Sequence, residues 1–265
     1  MKLSVCLATF NEEQNIANCL ELIQDIADEI IIVDGNSSDR TVEIAKRLGA
    51  KTIVTENQPI FHILKQKAID MAKGDWILQL DADERVTQEL SEEIKTITLA
   101  DNKHNGFWIK RKKQFLGRWV KKGGHYPDPV IRLFRRGYGK LPLKSVHEQI
   151  EITGSIGWLK NELTHLPTPS FATYITKDNR YSTLFALELL QSDPGTGPTS
   201  FIRFFLLSPL WTFLSIYFRH RGFMDGFPGL IFAIYTGLTK SSAYVKYWEF
   251  KHHPGAKTRV TQDWL

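Results

Sequence analysis

The sequence reads Trp76-Ile77-Leu78-Gln79-Leu80-Asp81-Ala82-Asp83-Glu84-Arg85 where an apolar strand pattern runs directly into a cluster of carboxylates. Nothing within such a strand neutralises the negative charge at its end, so a bound cation is expected there. Asp81 and Asp83 lie two residues apart, and extended backbone therefore places both carboxylates on one face, where they can hold a single divalent ion. Taken alone the pair is weak evidence, because a solvated acidic turn has the same pattern.

Strand and helix patterns alternate along the residues that precede this cluster. Predicted strands cover residues 2–8, 29–34, 51–55 and 76–80, and predicted helices cover residues 16–23, 41–48 and 61–72. This alternation is typical of an α/β fold, a mostly parallel sheet with helices on both faces. In such sheets ligands bind beyond the carboxyl ends of the strands, where the polar segments 9–12, 34–39 and 81–83 fall. We therefore expect three polar loops to converge on one crevice.

Three segments of this region carry a family resemblance. They are Ala8-Thr9-Phe10-Asn11-Glu12, Val33-Asp34-Gly35-Asn36-Ser37-Ser38-Asp39-Arg40-Thr41, and Ala72-Lys73-Gly74-Asp75-Trp76-Ile77-Leu78 with Asp81-Ala82-Asp83-Glu84. On these residues the chain resembles the inverting glycosyltransferases of family 2, which have the GT-A fold. Two later segments resemble the branch that includes lipopolysaccharide-core β-1,4-glucosyltransferases, namely Asp128-Pro129-Val130-Ile131-Arg132-Leu133-Phe134 and Val146-His147-Glu148.

The resemblance implies a Rossmann-like GT-A domain and a UDP-sugar donor bound at the strand ends. It places Thr9, Glu12 and Asp34 around the uridine, with Asp39 nearby and Asn11 among the donor-binding residues. It places Asp81 and Asp83 at the ribose and a metal ion, Mg²⁺ or Mn²⁺. The chain has Lys65-Gln66 where many members have Lys or Arg followed by Asn. Lys65 can still meet the diphosphate, whereas the contribution of the Asn to donor choice is absent.

An inverting transfer in one step also requires a carboxylate that takes the proton of the acceptor hydroxyl. The candidates in the second half of the chain are Asp128, Glu148, Glu151 and Glu162. Glu148 is favoured over Asp128, because it follows an apparent strand in a basic stretch that keeps it ionised.

Cationic and histidine side chains are expected to support the leaving group. Lys65 or Arg132 can offset the charge that grows on the diphosphate as the bond breaks. His147 and His165 can complete the metal shell or hold the diphosphate, or they can be structural, since their spacing matches no zinc pattern.

Charge is distributed unevenly over a chain whose net charge is +5. Residues 1–100 contain 18 acidic and 10 basic side chains, whereas residues 102–147 contain 13 basic side chains and one acidic side chain. This basic region favours a phosphorylated acceptor or an anionic membrane face over an ordinary solvated face. Nucleic acid is not an expected partner, because no recognised nucleic-acid module accompanies the charge.

Cysteine usage and the N-terminus indicate a cytoplasmic protein. Cys6 lies in the first predicted strand and Cys19 in the first predicted helix, so both are expected to be core thiols in a reducing compartment. The chain enters a strand without the basic start and apolar stretch of a secretory signal.

The C-terminal region is apolar and basic. Residues 201–218 and 223–238 are mostly apolar and flank Arg219-His220-Arg221, but Arg203, Pro209, Asp225 and Pro228 interrupt them. They therefore predict amphipathic helices in the membrane interface rather than transmembrane helices, or else helices that cover the catalytic core or form a dimer interface. We divide the chain into a nucleotide-sugar half, residues 1–100, an acceptor half, residues 101–195, and this helical region, residues 196–265.

The sequence thus predicts a metal-dependent inverting glycosyltransferase, peripheral on the cytoplasmic membrane face. It would move a hexose, glucose by analogy, from UDP to a glycolipid or lipid-linked saccharide of the cell envelope or lipopolysaccharide, with homo-oligomer formation left open. Two alternatives remain. A nucleotidyltransferase would normally have a Gly-rich, basic first loop, whereas Thr9-Phe10-Asn11-Glu12-Glu13 is acidic. A non-catalytic membrane scaffold of the same fold would be expected to have lost Asp34, Asp81 or Asp83.

Overall fold

The computed structural model describes residues 2–58, 61–101, 103–143, 149–167 and 170–257. The chain forms two compact units, the first made of Met1–Lys112 and Asp128–Leu166 and the second of Lys113–Pro127 and Pro167–Leu265. Each unit therefore draws on two separate parts of the chain. The site candidates His147 and Glu148 lie outside the described residues.

A mixed sheet forms the frame of the first unit. The strands along the chain are β1 (Leu3–Thr9), β2 (Glu29–Asp34), β3 (Lys51–Val54), β4 (Trp76–Asp81), β5 (Glu84–Val86), β6 (Gly106–Phe115), β7 (Arg118–Val120), β8 (Asp128–Arg135), β9 (Gly139–Lys140), β10 (Glu151–Ile152) and β11 (Ile156–His165). The order in the sheet is β3-β2-β1-β4-β8-β6-β11-β5, and β9 pairs separately with β10. The four strands β3, β2, β1 and β4 are parallel, whereas β8 is antiparallel to β4 and β6.

Helices pack on both faces of this sheet, because successive side chains of each strand point to opposite apolar layers. The helices of the first unit are α1 (Ile16–Glu21), α2 (Thr41–Arg47), α3 (His62–Asp70) and α4 (Gln88–Leu99). On β1, Leu7 belongs to the layer that contains Leu20 of α1 and Ile94 of α4. The preceding residue, Cys6, belongs to the opposite layer with Leu64 of α3. The predicted α/β fold is confirmed.

Both cysteines are free and fully buried, in agreement with the prediction of core thiols. Burial raises the pKa of the Cys6 thiol and of the Cys19 thiol to about 12, because an apolar environment disfavours the thiolate. Both thiols are therefore protonated at neutral pH and are not activated as nucleophiles.

Helices make up most of the second unit. They are α5 (Phe171–Ser192), α6 (Pro198–Ile202), α7 (Ser208–Leu214) and α8 (Gly226–His252), with π-helical turns at Arg203–Leu207 and Ser215–Arg219 and a 3₁₀ turn at Gly222–Asp225. The hydroxyl of Ser170 caps α5 by accepting a hydrogen bond from the Thr173 amide at 3.1 Å. Phe204 and Tyr244 pack with Ala186 in an apolar cluster of this unit. The predicted C-terminal helical region is confirmed.

The continuous helical stretch Pro198–Arg219 is long and apolar enough to cross a membrane by length and composition, and no other helix within the described ranges meets this criterion. The helix continues past Pro209, which has no amide hydrogen to donate. A π-helical turn precedes Pro209, and in this turn the Ser208 amide donates a hydrogen bond to the Arg203 carbonyl five residues back. The wider π-helical turn accommodates the pyrrolidine ring of Pro209.

Candidate active site

The carboxyl ends of β1, β2 and β4 lie side by side in the first unit. The strand register pairs Thr9 with Asp34 and Ala8 with Asp81. The polar residues that follow these strands therefore meet at one edge of the sheet, which is where parallel α/β folds bind ligands.

Asp34 is fully buried, and three hydrogen bonds satisfy its carboxylate. The Thr9 hydroxyl donates to Oδ2, and Ser37 donates from its amide to Oδ1 and from its hydroxyl to Oδ2, each at 2.7 Å. These bonds compensate the buried charge and tie the loop after β2 to the end of β1. Ser37 was not predicted as a site residue. The sequence signal for Ser37 was its spacing of three residues from Asp34, which is typical of an Asp side chain that hydrogen-bonds across a turn.

A second set of hydrogen bonds joins the loops after β1 and β2. The Ser38 amide donates to the Asn11 side chain at 2.9 Å, and the Glu12 amide donates to the Thr41 hydroxyl at 2.7 Å. The Thr41 hydroxyl in turn donates to Asp39 at 2.5 Å. Burial alone would raise the pKa of Asp39, but the hydrogen bonds from Thr41 outweigh burial and hold this pKa below its usual value. Thr9, Asn11, Glu12, Asp34 and Asp39 thus lie at the ends of β1 and β2 or in the joined loops that follow these strands.

Asp81, at the end of β4, forms ion pairs with two cations. Lys65 Nζ lies 2.5 Å from Oδ1, and a terminal nitrogen of Arg132 lies 2.7 Å from Oδ2. Burial alone would raise the pKa of Asp81, but the charges of Arg132 and Lys65 outweigh burial and hold it well below its usual range. The structure therefore brings together the two cations that the sequence predicted for the leaving group.

Glu84 anchors this cluster from a fully buried position. Its Oε1 accepts hydrogen bonds from Arg132 at 2.8 Å and from Arg111 at 3.0 Å, and its Oε2 accepts one from the Asp81 amide at 3.0 Å. Burial alone would lower the pKa of Arg132, but Asp81 and Glu84 outweigh burial and raise it. The sequence placed Glu84 in the acidic cluster and Arg111 in the basic region, but it assigned neither of them a contact within the site. The signal for Glu84 was its place shortly after the apolar strand 76–80, where a buried charge requires partners.

Asp128 begins β8 and is bound by Arg111. Two nitrogens of this guanidinium lie 2.6 and 2.8 Å from Oδ2 of Asp128. Arg111 thereby joins Asp128 to Glu84, and Arg132 joins Glu84 to Asp81. The other proposed base, Glu148, lies outside the described residues, so the choice between Glu148 and Asp128 stays a prediction.

Asp83 and His165 form a pair that fits a divalent metal ion. His165 ends β11, opposite Glu84 of β5, and its Nε2 lies 3.3 Å from Oδ2 of Asp83. Adjacent ligands of one octahedral ion, each about 2.1–2.2 Å from the metal, lie about 3 Å apart, so both atoms can bind the same ion. Within the described ranges no three His, Cys, Asp or Glu residues form a metal-binding group. Oxygens from a ligand or water would therefore complete the shell.

Comparison with known proteins identifies the family. The sequence profile of Glycosyl transferase family 2 matches residues 4–152, which span more than half of the chain. The chain belongs to glycosyl transferase family 2. Every site residue described above except His165 lies within the matched region, so the site is built almost entirely from the part that defines the family.

Relatives of this family 2 glycosyltransferase cover most of its length. An uncharacterized glycosyltransferase of Rickettsia typhi is 31% identical over 247 residues, which cover 88% of this chain and 82% of the relative. The lipopolysaccharide core biosynthesis glycosyltransferase LpsC of Rhizobium meliloti is 29% identical over 267 residues, 93% of each chain. The crystal structure of S. aureus TarS 1–349 in complex with UDP-GlcNAc aligns with a TM-score of 0.51 and 17% identity over 99% of this chain and 92% of TarS. The predicted family and GT-A fold are confirmed.

Proposed function

We propose that this family 2 glycosyltransferase moves a hexose, glucose by analogy, from UDP to a glycolipid or lipid-linked saccharide in cell-envelope or lipopolysaccharide biosynthesis. The observation that carries the proposal is the group of side chains at the end of β4. Lys65 and Arg132 converge there on Asp81, and Asp83 lies beside His165. Cations and metal ligands at one strand end suit the departure of a nucleoside diphosphate. The acceptor class is supported by the likeness to LpsC along 93% of the chain.

The uridine half of the donor would lie against the joined loops after β1 and β2. A carboxylate offers about four lone-pair positions, and three positions of Asp34 are used by Thr9 and Ser37. One position takes part in none of these bonds, and because Asp34 is fully buried, an N–H of the base or a ribose hydroxyl would reach it once a side chain of the joined loops moves aside. Because the loops are already joined by hydrogen bonds, little ordering would be required when the donor binds.

The diphosphate would lie near Lys65 and Arg132. Its negative charges compete with Asp81 for both cations, so donor binding would release the Asp81 carboxylate for the ribose or the metal shell. A divalent ion, held by Asp83 and His165, would supply Lewis-acid stabilisation of the leaving diphosphate. Imidazole together with carboxylate suits Mn²⁺ better than Mg²⁺, because Mg²⁺ prefers oxygen ligands.

The acceptor hydroxyl would attack the anomeric carbon from the face opposite the UDP, which inverts the configuration. A carboxylate takes the hydroxyl proton as the new bond forms, and Glu148 and Asp128 are the candidates. A lipid-borne acceptor requires access to a bilayer, so we place the enzyme on the cytoplasmic membrane face as a peripheral protein.

Thermal unfolding with and without UDP-glucose tests the donor and the metal together. With Mn²⁺ and UDP-glucose at about 100 times its Kd, binding should stabilise the folded protein by about 2.7 kcal/mol, a shift of a few degrees in Tm. The Asp83→Ala variant and excess EDTA should each abolish the shift. The exposed carboxylate of Asp25 provides a matched control, and Asp25→Ala should keep the full shift. A full shift in EDTA would contradict metal use, and a shift with GDP- or dTDP-sugars alone would contradict the donor assignment.

A further inference from the structure

A large apolar surface is exposed on the second unit between residues 201 and 227. Its exposed side chains, named the apolar face below, are Phe201, Ile202, Phe205, Leu206, Leu207, Leu210, Trp211, Leu214, Phe218, Phe223, Met224 and Phe227. Trp211 and Phe227 are each 67% exposed. Soluble monomers rarely expose apolar patches of this size, so the apolar face requires a partner that covers it.

The charges around the apolar face are of one sign. Residues 194–224 contain no Asp or Glu, whereas Arg203, Arg219 and Arg221 are all exposed. Apolar side chains bracketed by arginines are typical of helices that lie in the interface of an anionic membrane. A second copy of the same face would bring these arginines together instead, and like charges oppose such pairing.

A basic cavity opens beside the apolar face, within the same unit. It has a volume of about 370 Å³ and is lined by Arg118, Trp119, Lys121, Lys122, Met224 and Asp225. This volume lies at the lower end of the range for small-ligand sites. Met224 belongs to both the cavity and the apolar face, so a ligand in the cavity would lie where the apolar face meets solvent.

The backbone around the cavity is held in place by hydrogen bonds. Asp225 is buried, and its two carboxylate oxygens accept hydrogen bonds from the amides of Lys121 and Lys122 at 3.1 and 2.8 Å. The Gly123 amide donates to the carbonyl of His220 at 2.9 Å, which joins this loop to the end of the Pro198–Arg219 helix. The Asp225 carboxylate is therefore bound by backbone amides, and the residues that line the cavity comprise three cationic residues and one carboxylate.

We propose that this cavity binds the phosphate of an anionic phospholipid headgroup while the apolar face rests at the acyl-chain boundary of the bilayer. The proposal rests on the proposed function, because a lipid-borne acceptor requires the enzyme at a membrane. Arg118, Lys121 and Lys122 match the charge of a phosphodiester, and Trp119 is a side chain typical of the headgroup level. The occupant is a lipid rather than free phosphate, because Met224 lines the cavity and also belongs to the exposed apolar face.

Vesicle sedimentation of the full chain tests the site. The variant R118Q/K121Q/K122Q should lose roughly 10- to 100-fold in partitioning onto vesicles with one-third phosphatidylglycerol in phosphatidylcholine. The matched variant K51Q/K95Q/K103Q removes three exposed charges from the first unit and should change partitioning by less than about twofold, since these charges lie outside the site. An equal loss for both variants, or equal binding of the wild type to pure phosphatidylcholine, would overturn the proposal.

Short-chain lipids distinguish the binding of a headgroup in the cavity from a general electrostatic attraction to an anionic membrane surface. Monomeric dihexanoyl phosphatidylglycerol should raise the Tm of the wild type but not of R118Q/K121Q/K122Q, and inorganic phosphate should raise neither. Equal Tm shifts with inorganic phosphate would show that the cavity is a free-anion site. A dimer in solution that buries the apolar face would show that the apolar face is a protein interface. UDP-glucose binding is measured in the same samples. Its loss with lipid binding retained would reject the proposed function alone, and the reverse would reject this site alone.

Discussion

Glu84 is the residue on which the charged cluster of the site depends. It is fully buried and accepts hydrogen bonds from Arg111 and Arg132. Glu84→Gln keeps the shape of the side chain but leaves both guanidinium groups with less compensation. Removal of one partner of a buried pair costs about 3–5 kcal/mol, so we expect the free energy of unfolding, measured in urea, to fall by about 3 kcal/mol. Affinity for UDP-glucose should fall too, because Arg132 also holds Asp81.

An exposed pair of the same chemistry provides the control. Glu43 lies 2.9 Å from Arg40, and both side chains are mostly exposed. Because solvent screens this pair, Glu43→Gln should leave the urea midpoint unchanged within error. Similar losses in the two variants would show that burial of Glu84 is not what makes its charge important.

At the scale of elements, α8 packs against the Pro198–Arg219 helix through a glycine. A Cβ at Gly237 would lie 2.8 Å from the backbone carbonyl oxygen of Pro209, which cannot rotate away. Alanine is the better helix former by about 1 kcal/mol, but overpacking costs about 1–3 kcal/mol. We therefore expect Gly237→Ala to lower the free energy of unfolding, measured by urea denaturation.

Gly255, in the short helical turn of residues 254–257 that follows α8, should respond in the opposite direction. A Cβ there has no neighbour within 4 Å among the described residues, so Gly255→Ala adds helix propensity without a clash. We expect no loss and a gain of up to about 1 kcal/mol. If both variants gain stability, close backbone contact does not set the packing of α8.

At the scale of the whole molecule, several carboxylates make stability depend on pH. The pKa values of Glu29, Asp39 and Asp81 lie below their usual values, because hydrogen bonds or cations outweigh the effect of burial. The folded state therefore binds protons at these three carboxylates less tightly than the unfolded state does. The contribution of these carboxylates to the free energy of unfolding is complete above their unfolded pKa of about 4. It is lost as the pH falls through their pKa values in the folded state.

We expect the free energy of unfolding, from urea curves, to be nearly constant from about pH 7 to pH 5 and to decline below that. Asp81→Asn should be less stable at neutral pH, because Lys65 and Arg132 lose their partner, and its decline in acid should be shallower. Parallel curves for the wild type and Asp81→Asn would show that the Asp81 ion pairs do not contribute to the pH dependence.

The order of strands and helices in the first hundred residues was predictable from the sequence, because periodicity is a local property of the chain. The placement of Thr9, Asp34 and Asp81 at neighbouring strand ends followed from that order, since parallel strands end at one edge. The family resemblance rests on these same segments. The sequence alone therefore determined the α/β class, the edge that holds the site and the main acidic residues.

Only the tertiary structure decided which side chains meet. Arg132 reaches Asp81 and Glu84 across 51 and 48 residues, and Arg111 reaches Glu84 across 27. Such pairs depend on register and packing between distant strands, which no local pattern encodes. The same reason separates the chain into two discontinuous units and leaves the apolar face exposed rather than buried. Periodicity shows that a helix has an apolar side, but only the packed molecule shows whether that side is covered.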